Sequence, residues 1–140
     1  MDHLTKEKRS LNMRKIGSKN TKPELLVRKM LHRKGIRFRL HAKDLPGKPD
    51  ISNKSKSFAI FVNGCFWHQH SKCRYASIPK SNKEYWVPKL KKNKSRDQRN
   101  AALLKKEKWN VEVIWECQTK KGDLFEAAIS EILGRIKQHD

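Results

Sequence analysis

Apolar residues in this chain fall into short blocks whose spacing changes from helical to strand-like and back. After Thr21-Lys22-Pro23-Glu24, apolar positions recur every three and four residues as far as about Lys34, and Gly35 follows. Thr and Glu three residues apart form a capping box, and proline suits a first helical turn. The pattern therefore predicts a helix that begins at this box and ends before the glycine.

The next apolar blocks have the periods of strands. Apolar and basic residues alternate over 36–40, which indicates a strand with one buried face. A turn-rich loop then leads into a second strand that opens at Asp50. Residues 58–62 form a continuous apolar run, which is typical of a central strand buried on both faces. Alternation returns over 111–116 and predicts a last strand, with Cys117 just past its end.

Two further helices complete the pattern. Over about 87–108 one helical stripe is apolar except for Asn93 and Asp97, and a second capping box at 123–126 opens the final helix. Residues 65–79 show neither the helical nor the strand periodicity. The order of helix, three strands, helix, strand and helix predicts an α/β domain in which helices pack on a mixed sheet.

Charge narrows the class of partner. The chain has 140 residues, enough for one domain, and 34 Lys and Arg against 14 Asp and Glu give a net charge of +20. We expect a basic arm at 1–20 that orders on its partner, followed by a single domain at 21–140. Nucleic acid is favoured over an acidic membrane, because no helix is basic on one face and aromatic on the other. Without a long apolar run or a leader-like start, a cytoplasmic protein is expected.

Cysteine and histidine spacing indicates a metal site. Cys65, His70 and Cys73 place three zinc-type ligands within nine residues, and Cys117 follows another strand. Three cysteines and one histidine would close a tetrahedral shell, so the zinc would be structural rather than catalytic. The alternative is three unrelated buried cysteines. Spacing also leaves open whether the histidine ligand is His68 or His70.

Acidic residues are few in this chain, so those at strand entries and on inward helix faces are candidates for function. Three carboxylates meet this description. Asp50 stands at the mouth of a strand, which suits a carboxylate that binds Mg²⁺ against a phosphate. Glu24 could serve only as a helix cap. Asp97 on the inward stripe suits a hydrogen-bond partner for an imidazole, and His68 could be that imidazole. Asp50 and His68 could therefore supply the metal site and the base of a phosphodiester hydrolysis.

Several short motifs occur together and in order between about residues 10 and 117. They are Leu11-Asn12-Met13-Arg14 with Ile16, Thr21-x-x-Glu24, LPGKPD at 45–50, GCFWHQH at 64–70 with Cys73, Lys92-Asn93-x-x-Arg96-Asp97, and VIWEC at 113–117. This set resembles the very-short-patch-repair (Vsr) DNA mismatch endonucleases. The LPGKPD and GCFWHQH blocks are the specific ones.

The resemblance implies a fold similar to type II restriction endonucleases and a substrate of double-stranded DNA with a T:G mismatch. It implies Mg²⁺-dependent nicking of one strand 5′ to the mispaired T, by a monomer that starts very short patch repair with mismatch-repair proteins. Asp50 would bind the Mg²⁺, His68 would be the general base, and Glu24 and Asp97 would support them. The zinc ligands would be Cys65, His70, Cys73 and Cys117.

The chain departs from the family pattern at two positions of the implied active site. The family commonly has Thr and His where Val62 and Asn63 stand. Valine can serve if the metal takes the backbone carbonyl of residue 62. The missing imidazole at the catalytic position 63 is expected to slow catalysis or to shift its pH dependence.

Recognition of a mismatch requires more than phosphate contacts, because these carry no sequence information. A T:G pair is poorly stacked, so an aromatic wedge that opens the stack can discriminate it. Phe66, Trp67 and Trp86 are the candidate intercalating residues, with core packing as their alternative. Met13 resembles a family residue that enters the opposite groove.

Two other classes of function compete with the nicking endonuclease. One is a non-catalytic zinc-containing DNA-binding protein, which would bind mismatched DNA without cleaving it. The other is a site-specific restriction-type endonuclease, which would cut both strands of an intact duplex.

Overall fold

The computed structural model describes residues 20–137, so Met13 and nearly all of the predicted basic arm lie outside the described residues. Within this range the helices are α1 (Lys22–Arg33), α2 (Lys83–Lys106) and α3 (Asp123–Lys137). The strands are β1 (Arg39–Leu40), β2 (Ile51–Asn53), β3 (Phe58–Asn63) and β4 (Asn110–Trp115). The order of elements along the chain is the predicted one.

The four strands form one mixed sheet in the order β1, β2, β3, β4. The first two pairings are antiparallel, whereas β3 and β4 run parallel with Asn63 opposite Trp115. The predicted α/β class with a mixed sheet flanked by helices is therefore confirmed. Because parallel neighbours end at the same edge, the segments that leave β3 and β4 begin side by side.

The main core lies between one face of the sheet and helices α1 and α3. Its sheet side includes Phe58, Ile60 and Ile114, and its helical side includes Val27 and Ile129, each at most 1% exposed. Burying a side chain of this size contributes about 1.5–3 kcal/mol. This apolar layer fixes the two helices on the sheet, so the start of α1 is held in place next to the loop that precedes β2.

The second helix covers the other face of the sheet. Phe61 alternates with the core-facing residues of β3, and its ring lies close to Gly47, as does the side chain of Asn100 in α2.

Among the described residues, no helix is long and apolar enough to cross a membrane.

Two predicted boundaries were wrong. The strand expected over 36–40 is reduced to Arg39–Leu40, and Leu40 is 43% exposed rather than on a buried face. Its position at the edge of the sheet, with one partner strand, explains this exposure. Helix α2 begins at Lys83 rather than near residue 87, and it includes Pro88. Proline this close to a helix start removes one backbone hydrogen bond, and the helix continues through it.

Candidate active site

A pocket of about 960 Å³ opens between the start of α1, the loop before β2, the end of β3 and helix α2. Every residue predicted to be catalytic or to bind the catalytic metal lines it. These residues are Glu24, Asp50, Val62, Asn63, His68 and Asp97. The structure thus brings together side chains that are spread over more than seventy positions of the sequence.

Asp50 lies at the entry of β2, beside the end of β3. Its Oδ2 accepts a hydrogen bond of 2.8 Å from the backbone N–H of Val62, which fixes the carboxyl group against the central strand. Burial, together with the negative charge of Glu24, raises the pKa of Asp50 to about 7 against the opposing hydrogen bond from the Val62 N–H. Two crowded carboxyl groups of this kind attract a cation.

Glu24 both caps α1 and lines the pocket. Its backbone N–H donates to the Thr21 hydroxyl at 3.4 Å, as a capping box requires, while its carboxylate accepts from the backbone N–H of Asn20. The side chain is almost fully buried, and Arg28 lies 3.1 Å from its Oε2. Burial by itself raises the pKa of Glu24, but the hydrogen bond with His41 and the charge of Arg28 outweigh it and leave this pKa below its ordinary value.

His41 is a pocket residue that the sequence analysis missed. Its Nε2 lies 2.6 Å from Glu24 Oε1, and its backbone N–H donates to the carbonyl of Asp50 at 3.2 Å. Potential metal-ligand atoms, one from each of Glu24, His41 and Asp50, lie within 4.8 Å of one another. The antiparallel register with Leu40 opposite Ile51 places residues 41 and 50 opposite each other. Only a knowledge of that register could have revealed the contact from the sequence.

His68 and Asp97 form the second charged group of the pocket. The ring nitrogen Nδ1 of His68 lies 2.5 Å from Oδ2 of Asp97, and both side chains remain about one-third exposed. The backbone N–H of His68 donates to the carbonyl of Gly64, which places the ring in a turn directly after β3. Asp97 faces it from α2. The pair leaves the second ring nitrogen, Nε2, for other chemistry.

A separate cluster of potential metal ligands follows the ends of β3 and β4. Ligand atoms of Cys65, His70, Cys73 and Cys117 lie within 4.8 Å of one another. Nδ1 of His70 lies 3.6 Å from Sγ of Cys65 and 3.5 Å from Sγ of Cys117. The structure thus places His70, rather than His68, among the cysteines. Sulfur and imidazole donors in this number could bind a metal ion.

Local electrostatics in this cluster suit a bound cation. Burial raises the pKa of Cys65 to about 12, with the thiol of Cys117 adding to the effect. Burial, with Lys121, lowers the pKa of His70, so its imidazole is neutral and can donate a lone pair. The ring stacks on Trp115 with centroids 4.1 Å apart, which fixes its orientation.

The parallel pairing of β3 and β4 explains how the distant Cys117 joins the cluster. Cys65 stands two residues past β3, and Cys117 stands two residues past β4 in the short 3-10 helix Glu116–Lys120. The backbone N–H of Cys65 donates to Oε1 of Glu116 at 3.4 Å. Glu116 also lines the pocket, so it links the cysteine cluster to the candidate active site.

Three of the four candidate intercalating residues pack against one another. The rings of Phe66, Trp67 and Trp86 meet edge to face with centroids 5.2–5.6 Å apart, and Tyr85 extends the group at 4.9 Å from Trp86. The three predicted rings are half-buried and lie outside the main core, and two of them, Phe66 and Trp67, also line the pocket. They therefore form an aromatic group beside the candidate active site.

The fold and the pocket together define a class. A strongly basic α/β domain presents a buried and a half-buried carboxyl group, and a histidine oriented by a third, in one open pocket. Such an arrangement of acids and a base beside positive charge is that of a nuclease.

Comparison with known proteins gives the family. Residues 1–74 match the family model described as DNA mismatch endonuclease Vsr. The chain is 48% identical over 132 residues to the type II nicking enzyme V.XorIIP of Xanthomonas oryzae pv. oryzae, covering 94% of this chain and 96% of that protein. It is 36% identical over 129 residues to the DNA mismatch endonuclease Vsr of Escherichia coli, covering 91% of this chain and 82% of that protein. The chain therefore belongs to the DNA mismatch endonuclease Vsr family and is a DNA endonuclease, which confirms the predicted resemblance.

Proposed function

We propose that this protein nicks one strand of double-stranded DNA immediately 5′ to the mispaired T of a T:G mismatch, with Mg²⁺ as cofactor, and so starts very short patch repair. The observation that carries the proposal is the pocket in which the Asp50 carboxyl group and the His68–Asp97 pair occur together. The domain of residues 21–140 would have a fold similar to type II restriction endonucleases, acting as a monomer.

The donors in the pocket fit Mg²⁺. This ion prefers oxygen ligands and uses one or two carboxylates, with the remaining positions left to water and phosphate. Asp50 and the backbone carbonyl of Val62 would hold it, with Glu24 in support. The pKa of about 7 for Asp50, raised by burial and by Glu24, reflects a crowding of acids that a cation relieves. Bound Mg²⁺ would neutralise charge on the scissile phosphate.

His68 would act as the general base. Asp97 would accept a hydrogen bond from Nδ1–H, so that in the neutral ring the lone pair lies on Nε2, where it can take a proton from a water molecule as that water attacks phosphorus. The carboxylate then stabilises the imidazolium that forms. Asn63 is buried at the end of β3 and lines the same pocket. Its amide can hydrogen-bond the phosphate but is not a base, so His68 would act alone.

The cysteine cluster would hold a structural Zn²⁺. Four protein donors would fill the tetrahedral shell and leave no position for substrate. The ion would brace the turn-rich segment that carries His68 and the aromatic rings of Phe66 and Trp67. The metal would thus contribute to catalysis only through the positions of these side chains.

Mismatch recognition would come from the aromatic group. Phe66, Trp67 and Trp86 would enter the DNA stack beside the T:G pair, with Met13 from the opposite groove. The net charge of +20 would supply contacts to the phosphate backbone. Poor stacking at the wobble pair lowers the energy needed to open it, by a few kcal/mol at most.

A strand-specific nicking assay tests this function. Wild type with Mg²⁺ is expected to cut only the T-containing strand of a T:G duplex, and to leave A:C and fully paired duplexes intact. Asp50→Asn should lower the nicking rate by about 10³-fold, whereas Asp123→Asn, at an exposed position at the start of α3, should leave it unchanged. Binding without cleavage in any divalent metal would instead indicate the non-catalytic DNA-binding protein. Double-strand cutting of unmismatched plasmid would indicate the restriction-type enzyme.

A further inference from the structure

His41 is the pocket histidine to which the proposed reaction gives no role. We propose that His41 is a nitrogen ligand of the same divalent ion that Asp50 and the Val62 carbonyl bind, so that the site has mixed nitrogen and oxygen donors and binds Mn²⁺ more tightly than Mg²⁺. This proposal rests on the proposed function, because it concerns the metal of that same pocket.

The side chain of His41 is held where a shared ion would need it. Its Nε2 lies 2.6 Å from Oε1 of Glu24, and a ligand atom of Asp50 completes a group whose members lie within 4.8 Å of one another. Glu24 is only 1% exposed, and its second oxygen lies 3.1 Å from Arg28. A buried, anchored carboxylate therefore fixes the imidazole of His41 beside Asp50.

The backbone of His41 is held opposite Asp50 as well. Its φ of +47° lies in the left-handed region, which residues other than glycine rarely adopt. The backbone hydrogen bond to the Asp50 carbonyl at 3.2 Å holds it there, directly opposite the metal-binding aspartate.

The donor set decides which ions the site prefers. Carboxylate and carbonyl oxygens alone suit Mg²⁺, which tolerates few other ligands and keeps its waters. An imidazole nitrogen favours first-row transition ions, of which Mn²⁺ also accepts oxygen ligands readily and binds thiolates weakly. Mn²⁺ is therefore the probe that distinguishes this pocket from the cysteine cluster.

The experiment measures Mn²⁺ binding to the full-length, zinc-loaded protein without DNA. Electron paramagnetic resonance of free Mn²⁺ gives the dissociation constant, and pulsed measurements detect magnetic coupling to a directly bound nitrogen. Mg²⁺ affinity follows from competition against Mn²⁺. Two substitutions are compared, because His41→Asn tolerates the left-handed backbone and His41→Gln has the length to reach Glu24. His32→Gln, at an exposed histidine of α1 that stacks on Phe38, is the matched control.

Wild type and His32→Gln are expected to show nitrogen coupling, which both His41 variants lose. Loss of the ligand should weaken Mn²⁺ binding by about tenfold or more and Mg²⁺ binding by about threefold or less. Asp50→Asn should remove Mn²⁺ binding altogether. Wild type that binds Mn²⁺ without nitrogen coupling, or binding that Asp50→Asn leaves intact, overturns the assignment. The nicking assay separates the two proposals. If the protein nicks T:G duplexes but shows no nitrogen coupling, the proposed function stands and only the role of His41 as a ligand is rejected.

Discussion

His68 and His70 are two residues apart in the chain, yet they belong to groups with opposite properties. His70 lies among three cysteines with its ring stacked on Trp115, and every potential donor of that cluster faces the others. His68 lies in an open pocket of about 960 Å³, where hard oxygen donors and imidazoles line a space large enough for a phosphate group. The first arrangement resembles a closed structural site and the second a site for substrate.

The comparison shows how one short segment can serve both stability and chemistry. Burial raises the pKa of an acid in each group, to about 12 for Cys65 and about 7 for Asp50. In the cysteine cluster a bound ion would satisfy all four donors and lock the turn. In the pocket an ion would leave positions for water and phosphate. Burial thus raises a pKa in both groups, but the ion would be structural in the cysteine cluster and catalytic in the pocket.

The largest expected effect comes from removing the chemistry of the pocket while leaving the cysteine cluster intact. Asp50→Asn and His68→Ala should each lower the single-turnover nicking rate on T:G DNA by about 10³-fold, because a metal carboxylate or the general base is lost. Bound zinc and the midpoint of thermal unfolding in Mg²⁺-free buffer should not fall. A variant that nicks at more than about a tenth of the wild-type rate would falsify the assigned roles.

The converse change tests the cysteine cluster. Cys117→Ser should lower the free energy of unfolding by about 3 kcal/mol or more, because a structural metal contributes directly to folding. Urea denaturation and measurement of bound zinc check this prediction. Thr119→Ser is the matched control, since it keeps the hydrogen bond of 2.7 Å to the Glu116 carbonyl within the same 3-10 helix. Equal stability of Cys117→Ser and wild type would mean that no metal braces this region.

The pH dependence of stability separates the pocket from the rest of the fold. The pKa of Asp50 rises from 3.8 to about 7 on folding, so the folded protein keeps this proton longer than the unfolded chain does. Its contribution to stability is therefore present below pH 4 and is lost as the pH rises through 7. Asp50→Asn removes this loss and should stabilise the Mg²⁺-free protein by about 2 kcal/mol at pH 8 but by little at pH 4. Urea titrations at the two pH values measure the difference, and an equal effect at both would contradict it.

The smallest expected difference, about 1 kcal/mol, is between substitutions at two glycines, of which Gly47 lies in the loop that carries Asp50. Gly47 has a φ of +76°, and an added Cβ would lie 2.9 Å from Cβ of Asn100 and 3.1 Å from the Phe61 ring. Gly47→Ala should therefore destabilise the protein by about 2 kcal/mol and slow nicking, without loss of bound zinc. Gly35→Ala is the control, because Gly35 has a φ of +74° with nothing within 4 Å and so isolates the backbone strain, about 1 kcal/mol. If the two variants unfold alike, the close approach to α2 is unimportant.

Local patterns predicted the elements well where one physical signal dominated. The capping box at Thr21 begins α1, the apolar run at 58–62 lies in the central strand, and α3 begins at Asp123, the first residue of the second predicted box. The prediction was wrong at the start of α2, which the structure places at Lys83 rather than near residue 87. The helix continues through Pro88, because a proline near a helix start removes only one hydrogen bond.

The amino-acid sequence alone determined the order of the elements, the basic charge and the Vsr family, because capping, periodicity and motif spacing are local properties of the chain. Spacing alone left the histidine ligand open and the family resemblance implied His70; the tertiary structure places His70 among the cysteines and His68 against Asp97. It also brought His41 to Glu24, a contact that no spacing in the sequence reveals. These outcomes depend on strand register and on the parallel pairing of β3 with β4. Register arises from side-chain packing between residues far apart in the chain, so it exists only once the sheet has formed.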